Sequence, residues 1–313
     1  MSAVGARIAF AGTFAATLEL PVRERLKIPC DVVVADEAGI VSRLGDVDVL
    51  VTLAFTSEMG RAARRLKLVQ VPGAGLDRID RAALPAGARL ANAYGHEAGI
   101  AEYVIGAMLT LTRDLLRIDG ALRRGVWESQ WAVGVAAPPA WPELVGKTLG
   151  ILGYGRIGQA VAQRARAFDM NVLPFRRGDA LEDALRRSDY VAITLSLNET
   201  TRGLIGAREL ALMKPTAYLI NVARAVIVDE DALYRALADQ RIAGAALDVW
   251  YRYPTEPGVT LPSRHPFHEL PNVLMTPHLS GWTQGMLDAR ASVIAENVHR
   301  VMRDEAPVNL IAP

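Results

Sequence analysis

Residues 148–168 read "TLGILGYGRIGQAVAQRARAF", and few backbone paths accommodate them. An apolar run meets Gly153, Gly155 and Gly158 in the pattern G-x-G-x-x-G. A helix-like stretch follows, with Val161, Ala165 and Phe168 spaced onto one face. The physical reading is strand, tight turn, helix. Gly153 permits the turn, Gly155 lets a pyrophosphate come close to the backbone, and Gly158 lets helix and strand pack together. The helix N-terminus then turns N–H groups and a positive dipole end toward that anion. Strand before and helix after make this a dinucleotide-binding turn rather than a chance run of glycines.

The rest of the chain has the matching rhythm. Strand-like runs "ARIAFAG", "CDVVVAD", "VDVLVTL", "LKLVQVPG", "TLGILG", "MNVLPF", "YVAITLS", "YLINVA", "GAALDVW" and "NVLMTP" alternate with segments such as "EDALRRSD" and "DEDALYRALADQR". Near-continuous apolar strands separated by amphipathic helices predict an α/β fold of doubly wound parallel sheets, here in two domains. One long helix is predicted from Glu97 to about Arg123, on the spacing of Ile100, Val104, Ala107, Met108, Leu111 and Leu115, and the chain crosses between domains there. "AAPPAWPELVGK" reads as a loop, and "MLDARASVIAENVHRVMRD" as a closing helix with no strand after it. The expected division is therefore 1–96 plus 283–313 for one domain and 97–282 for the nucleotide-binding domain.

Composition excludes several classes. With 51% hydrophobic and 22% charged residues and a net charge of only +1, nothing argues for a nucleic-acid partner or an anionic membrane. No apolar run approaches about 18 residues, so no membrane span is expected. The opening "MSAVGARIAFAGTF" lacks the long apolar core of a secretory leader. The single cysteine, Cys30, cannot form an internal disulfide and is expected to be a buried packing residue. No metal site is read. These points predict a cytoplasmic protein.

The strand after the glycine turn ends "NVLPFRR". About 20 residues beyond such a turn, a carboxylate ordinarily holds the adenosine ribose 2′-hydroxyl. Here the position falls on Arg176, with Arg177 beside it. A guanidinium fork pairs with phosphate, so this tip predicts NADP(H), with NAD(H) as a lesser alternative.

Three further segments sit where strands end: "INVARAVIVDEDAL", "GAALDVW" and "MTPHLSG". With "LVGKTLGILG" and "GYGRIG", and in this order along nearly the whole chain, they resemble the D-isomer-specific 2-hydroxyacid dehydrogenase family, in its glyoxylate/hydroxypyruvate reductase-like, NADP-preferring form. The resemblance implies a flavodoxin-like substrate domain, a Rossmann cofactor domain and usually a homodimer. It implies hydride transfer between NADP(H) and C2 of a small 2-oxo or 2-hydroxy acid. It places the family's catalytic arginine at Arg224, where a bidentate guanidinium would hold the carboxylate and carbonyl oxygen. It places the catalytic histidine at His278, as proton donor to the carbonyl oxygen. His96, His265, His268 and His299 lie in turn or helix contexts that suit packing or the surface. "VPGAGLD" resembles the substrate-carboxylate loop, with Gly73, Ala74 and Gly75 turning N–H groups toward the anion as a nest. Arg156 and Ile157 within the turn, Ala223, Asp248 and Gly281 are implied as further cofactor contacts.

The sequence also departs from that family. Ala225 stands where a glycine usually follows the arginine. The family glutamate that pairs with the histidine would fall on Tyr253, five residues after Asp248. Either Glu256 swings into that place, or the carboxylate is missing, as in the formate dehydrogenase branch, leaving Tyr253 or no residue as the partner; absence of the carboxylate is the favoured expectation. An imidazolium without a carboxylate neighbour would titrate lower and move the pH–rate profile down. Trp282 follows the histidine where small residues are usual, and either shapes the substrate pocket or packs at the crossover. Two other functions stay in view: a formate-dehydrogenase-branch enzyme, suggested by "DVWYRYP" and "PHLSG", and a nucleotide-sensing corepressor-like binding protein.

Overall fold

The computed structural model describes residues 5–312. Two compact units divide the chain, one holding the residues up to His96 and from Trp282 onward, the other Glu97–Gly281.

In the first unit, strands β1 (Ala6–Ala11), β2 (Cys30–Ala35), β3 (Val49–Thr52), β4 (Leu68–Gln70) and β5 (Arg89–Ala91) form a parallel sheet. The order β2-β1-β3-β4-β5 is the flavodoxin-like one. Alternation along β1 shows why both faces are covered. Ile8 and Phe10 pack with Leu18 and Val22 and with Ile294 and Val298 of the C-terminal helix Gln284–Met302. Ala9 and Ala11 point the other way, toward Ile40, Phe55 and Met59. Three short helices lie along this stretch: α1 (Thr13–Ala16), α2 (Glu19–Arg25) and α3 (Ser57–Ala62). Each large apolar side chain buried in this way contributes about 1.5–3 kcal/mol. Cys30 departs from expectation: on an outer strand it is only partly buried, packed against the edge of the first cluster. The three-residue β5 has no counterpart in the sequence reading. It is too short to show a period, and it is held partly by the C-terminal tail, where the Ile311 N–H donates to the Leu90 carbonyl.

The second unit holds six parallel strands: β6 (Thr148–Leu152), β7 (Asn171–Phe175), β8 (Tyr190–Ile193), β9 (Tyr218–Asn221), β10 (Gly244–Leu247) and β11 (Val273–Met275). They lie in the order β11-β10-β9-β8-β6-β7. The chain starts at β6, goes out to β7, then returns past β6 to β8, so the switch point of this Rossmann-type sheet lies at the carboxyl end of β6. Ile151, Ala192, Ile220 and Ala246 face helices α4 (Glu97–Thr112) and α6 (Arg156–Ala167). Val191, Ile193, Leu219 and Leu247 face the opposite layer, where Leu185, Leu210 and Leu233 come from Leu181–Arg187, Ala207–Leu212 and Glu230–Ala238. The two doubly wound parallel sheets expected from the sequence are therefore present.

Two local expectations are corrected. The helix predicted from Glu97 to Arg123 is broken: α4 ends at Thr112, and α5 (Leu115–Arg123) starts after Asp114, whose φ of 50° is left-handed. Apolar spacing continues across the break because Leu111 and Leu115 keep the period, so the pattern carries no sign of it. Phe168 is not on the buried face of α6 with Val161 and Ala165; it caps the helix and is 40% exposed. Among the described residues, no helix is long and apolar enough to cross a membrane.

Candidate active site

The glycine turn has the steric logic that its spacing implied. Gly153 has φ +101°, and a Cβ there would lie 2.8 Å from the Leu195 amide nitrogen. A Cβ on Gly158 would lie 2.3 Å from the Gly153 carbonyl oxygen, so α6 could not come this close to β6 with any other residue. A Cβ on Gly155 would meet nothing within 4 Å, which leaves open space directly over the backbone. Gly155 also starts α6 without a side-chain cap. These features fit a dinucleotide pyrophosphate lying against the turn, with Arg156 and Ile157 in the first helical turn beneath it.

Arg176 directly follows β7. The register pairs Leu152 with Phe175, and the Gly153 N–H donates to the Phe175 carbonyl, so Arg176 emerges beside the turn. It is exposed, with its guanidinium 5.1 Å from the centroid of the Tyr154 ring, a cation–π arrangement that aims the group without burying it. The Asp179 carboxylate in the same turn accepts from the Arg176 backbone N–H at 2.6 Å. Arg177 is exposed alongside.

Three neighbouring strands, β9, β10 and β11, carry Arg224, Asp248 and His278 beyond their carboxyl ends. Arg224 is half-buried and donates to the Ala223 carbonyl at 2.9 Å, while its own carbonyl accepts from Asn221 Nδ2 at 3.1 Å. Ala223 is 8% exposed at this bend. Ala225 opens a short 3-10 turn with negative φ, so the missing glycine costs no backbone strain.

Asp248 is fully buried and organises the histidine loop. Its carboxylate accepts from Thr276 Oγ1 at 2.6 Å and from the Leu279 and Ser280 N–H groups at 2.9 Å each. The three donors bracket His278, which takes φ 59°, a left-handed conformation that asparagine, aspartate and histidine tolerate best. Thr276 in turn bonds Tyr103 at 2.7 Å, and the Trp250 indole donates to the Thr276 carbonyl at 2.8 Å. Burial chiefly, with the Asp248 charge, pushes the Tyr103 hydroxyl up to about 12, so it stays a neutral partner. Gly281 is the last residue of this unit. Asp248→Ala would leave two backbone donors without their acceptor. We expect a stability loss of about 1–3 kcal/mol, read as a lower melting temperature, and an unchanged melt would refute the role.

The sequence left the histidine's neighbour open between Glu256, Tyr253 and no residue, and no carboxylate takes the place, as was the favoured expectation. The Tyr253 hydroxyl lies 2.9 Å from His278 Nδ1, so this place is neither empty nor given to Glu256. The signal was available, because Tyr253 is the very residue at the expected offset from Asp248. Desolvation pushes its hydroxyl above the ordinary phenol value, partly offset by hydrogen bonding from Trp250 and by the Arg224 charge; Asp248 adds to the rise. Arg224, Asp248 and His278 are thus all within electrostatic or hydrogen-bonding reach of one phenol.

Gly73, Ala74 and Gly75 belong to the other unit. The Gly73 carbonyl accepts from the Ala93 N–H at 3.1 Å, and the Ala74 carbonyl from Asn92 Nδ2 at 3.1 Å. Neither glycine has positive φ, so the right-handed, left-handed alternation of a nest is not formed here. Trp282 packs edge-to-face on Phe14 in the same unit, with centroids 5.7 Å apart, and stays 42% exposed.

A doubly wound sheet with a glycine-rich turn at its switch point defines a dinucleotide-dependent protein. The model of the D-isomer specific 2-hydroxyacid dehydrogenase NAD-binding domain matches residues 105–280, and the chain belongs to that family of NAD(P)-dependent enzymes. A glyoxylate reductase of Thermofilum pendens is 34% identical over 93% of this chain and 91% of its own length. A D-3-phosphoglycerate dehydrogenase of Methanocaldococcus jannaschii is 33% identical over 87% of this chain, which spans only about half (53%) of that relative. Among solved structures, an acyclic imino acid reductase in complex with NADPH and D-Arg superposes with a TM-score of 0.81 at 25% identity, covering 98% of this chain and 100% of the other.

Proposed function

We propose that the chain reduces small 2-oxo acids of the glyoxylate or hydroxypyruvate type with NADPH in preference to NADH. The observation that carries this reading is the row formed by Arg224, Asp248 and His278 beyond three adjacent strands of the dinucleotide-binding sheet. The glyoxylate reductase likeness supports the substrate class, and Arg176 beside the turn, with the NADPH named in the imino acid reductase structure, supports the cofactor.

In this reading the bound cofactor supplies the hydride to C2. Arg224 holds the carboxylate and carbonyl oxygen through its fork, which fixes the face of C2 that is presented. His278 gives a proton to that oxygen and takes it back in the oxidation direction. Gly153, Gly155 and Gly158, with Arg156 and Ile157, cradle the pyrophosphate; Arg176 and Arg177 pair with the 2′-phosphate. Ala223 and Gly281 line the nicotinamide end. Asp248 serves there by holding the His278 loop.

Purified protein assayed with NADPH and NADH against a panel of 2-oxo acids, and with formate and NAD, tests this directly. No consumption of reduced cofactor with any 2-oxo acid would refute the reductase, formate oxidation alone would favour the formate dehydrogenase branch, and faster turnover with NADH would refute the cofactor preference.

We also infer a homodimer. Leu116 (63% exposed), Trp127 (56%) and Trp131 (83%) expose apolar surface on α5 and the loop after it. Light scattering should give the mass of two chains, and Trp131→Glu should shift it toward one; a monomeric wild type would contradict this.

A further inference from the structure

We propose that Tyr253 is a positioning residue that converts proton delivery by His278 into a neutral phenol–imidazole relay. The inference rests on the reading of His278 as the proton donor.

The geometry brings the phenol and the imidazole within hydrogen-bond reach. The Tyr253 oxygen lies 2.9 Å from His278 Nδ1, with the two rings tilted by 55°. The Trp250 backbone N–H points at the same oxygen from 3.4 Å. An amide N–H can only donate, so the phenol accepts on that side; its hydroxyl keeps one proton, which the relay assigns to Nδ1. Nδ1 offers one in-plane position for a hydrogen bond, and the phenol takes it. An imidazole that accepts at Nδ1 carries its proton on Nε2, the nitrogen this relay assigns to the substrate oxygen.

A neutral imidazole that simply surrendered the Nε2 proton would become a strongly basic anion. The phenol removes that obstacle. As hydride from the reduced cofactor forms the new C–H bond at C2, the carbonyl π pair moves to oxygen, and that oxygen takes the Nε2 proton. The Tyr253 O–H bond breaks as its proton binds Nδ1, so the imidazole stays neutral and the negative charge ends on the phenolate. Tyr253 is 48% exposed, and water returns the proton. The sum is one hydride and one proton added to the 2-oxo acid.

The surrounding charges suit this cycle. Arg224 eases the transient phenolate, whereas burial and Asp248 keep the resting phenol protonated. Tyr103, the other phenol of this region, is engaged with Thr276, whose own proton goes to Asp248.

A carboxylate-paired imidazolium loses its activity once it deprotonates, whereas this relay starts from the neutral ring. Glyoxylate reduction by NADPH should therefore hold within about threefold between about pH 6.5 and 9 in the wild type. Tyr253→Phe should instead fall about tenfold per pH unit on the alkaline side of its profile, with the NADPH KM unchanged. In mixtures of H2O and D2O, kcat should curve as two protons move in the wild type and become linear in Tyr253→Phe. Tyr253→Glu should restore a bell-shaped profile with a linear isotope response, since a carboxylate recharges the imidazole. A Tyr253→Phe enzyme with the wild-type profile and curvature would overturn the relay alone. A wild type that turns over no 2-oxo acid would overturn the catalytic reading and the relay with it.

Discussion

His278→Asn should lower kcat for 2-oxo acid reduction by about 10²–10⁴-fold while leaving NADPH binding intact, the span over which a positioned general acid contributes. Asparagine is the right replacement because position 278 has φ 59°, and asparagine accepts the left-handed region where leucine or glutamine would add strain. It keeps a polar side chain near Tyr253 but has no acidic proton to transfer. The phosphates of the dinucleotide are assigned to Gly153–Gly158 and the tip of β7, away in sequence from the 276–280 loop, so NADPH affinity reports the folding of that end of the site. Steady-state rates with saturating NADPH, beside a fluorescence titration of NADPH, separate the two effects. A variant within about threefold of wild-type kcat would remove His278 from the chemistry, because even a modest general acid is worth more than that.

What could be read from the sequence was what local sterics and burial of both sheet faces dictate. Gly153 and Gly158 were legible because each has a local reason to be glycine, a positive φ in one case and a 2.3 Å approach to a carbonyl in the other. The strands were legible because a sheet covered on both faces needs apolar residues at consecutive positions, as in Leu149–Leu152 and Tyr190–Ile193. Gly73 and Gly75 show the opposite case: glycine permits a left-handed turn without requiring one, and both have ordinary φ. The break at Asp114 lies in backbone angles, which apolar spacing does not record. The Tyr253–His278 contact joins residues 25 apart across a loop whose path depends on the pairing of β10 with β11. Family spacing named the residue at that position, but only the folded loop shows that its hydroxyl meets Nδ1.

Arg176→Asp should lower the NADPH-to-NADH ratio of kcat/KM by about two orders of magnitude. A hydrogen bond between a guanidinium and a phosphate is worth about 1.5–3 kcal/mol, or roughly 10- to 150-fold, and the introduced carboxylate adds repulsion of the 2′-phosphate. The position is fixed by register: β7 pairs with β6 up to Phe175, so residue 176 stands beside Gly153 whatever its side chain. The Asp179 bond goes to the backbone N–H of residue 176, so the turn survives the substitution. A carboxylate at this tip would also accept from a ribose 2′-hydroxyl, so kcat/KM with NADH should rise as that with NADPH falls. Because Arg176 is exposed, the wild-type preference should weaken as ionic strength rises, while the variant's ratio should change little or shift the other way. Arg177 remains nearby, and Arg176→Asp combined with Arg177→Ser should carry the shift further. If the ratio and its salt dependence were the same in the wild type and both variants, the two arginines would be solvated surface residues and the 2′-phosphate would be held elsewhere.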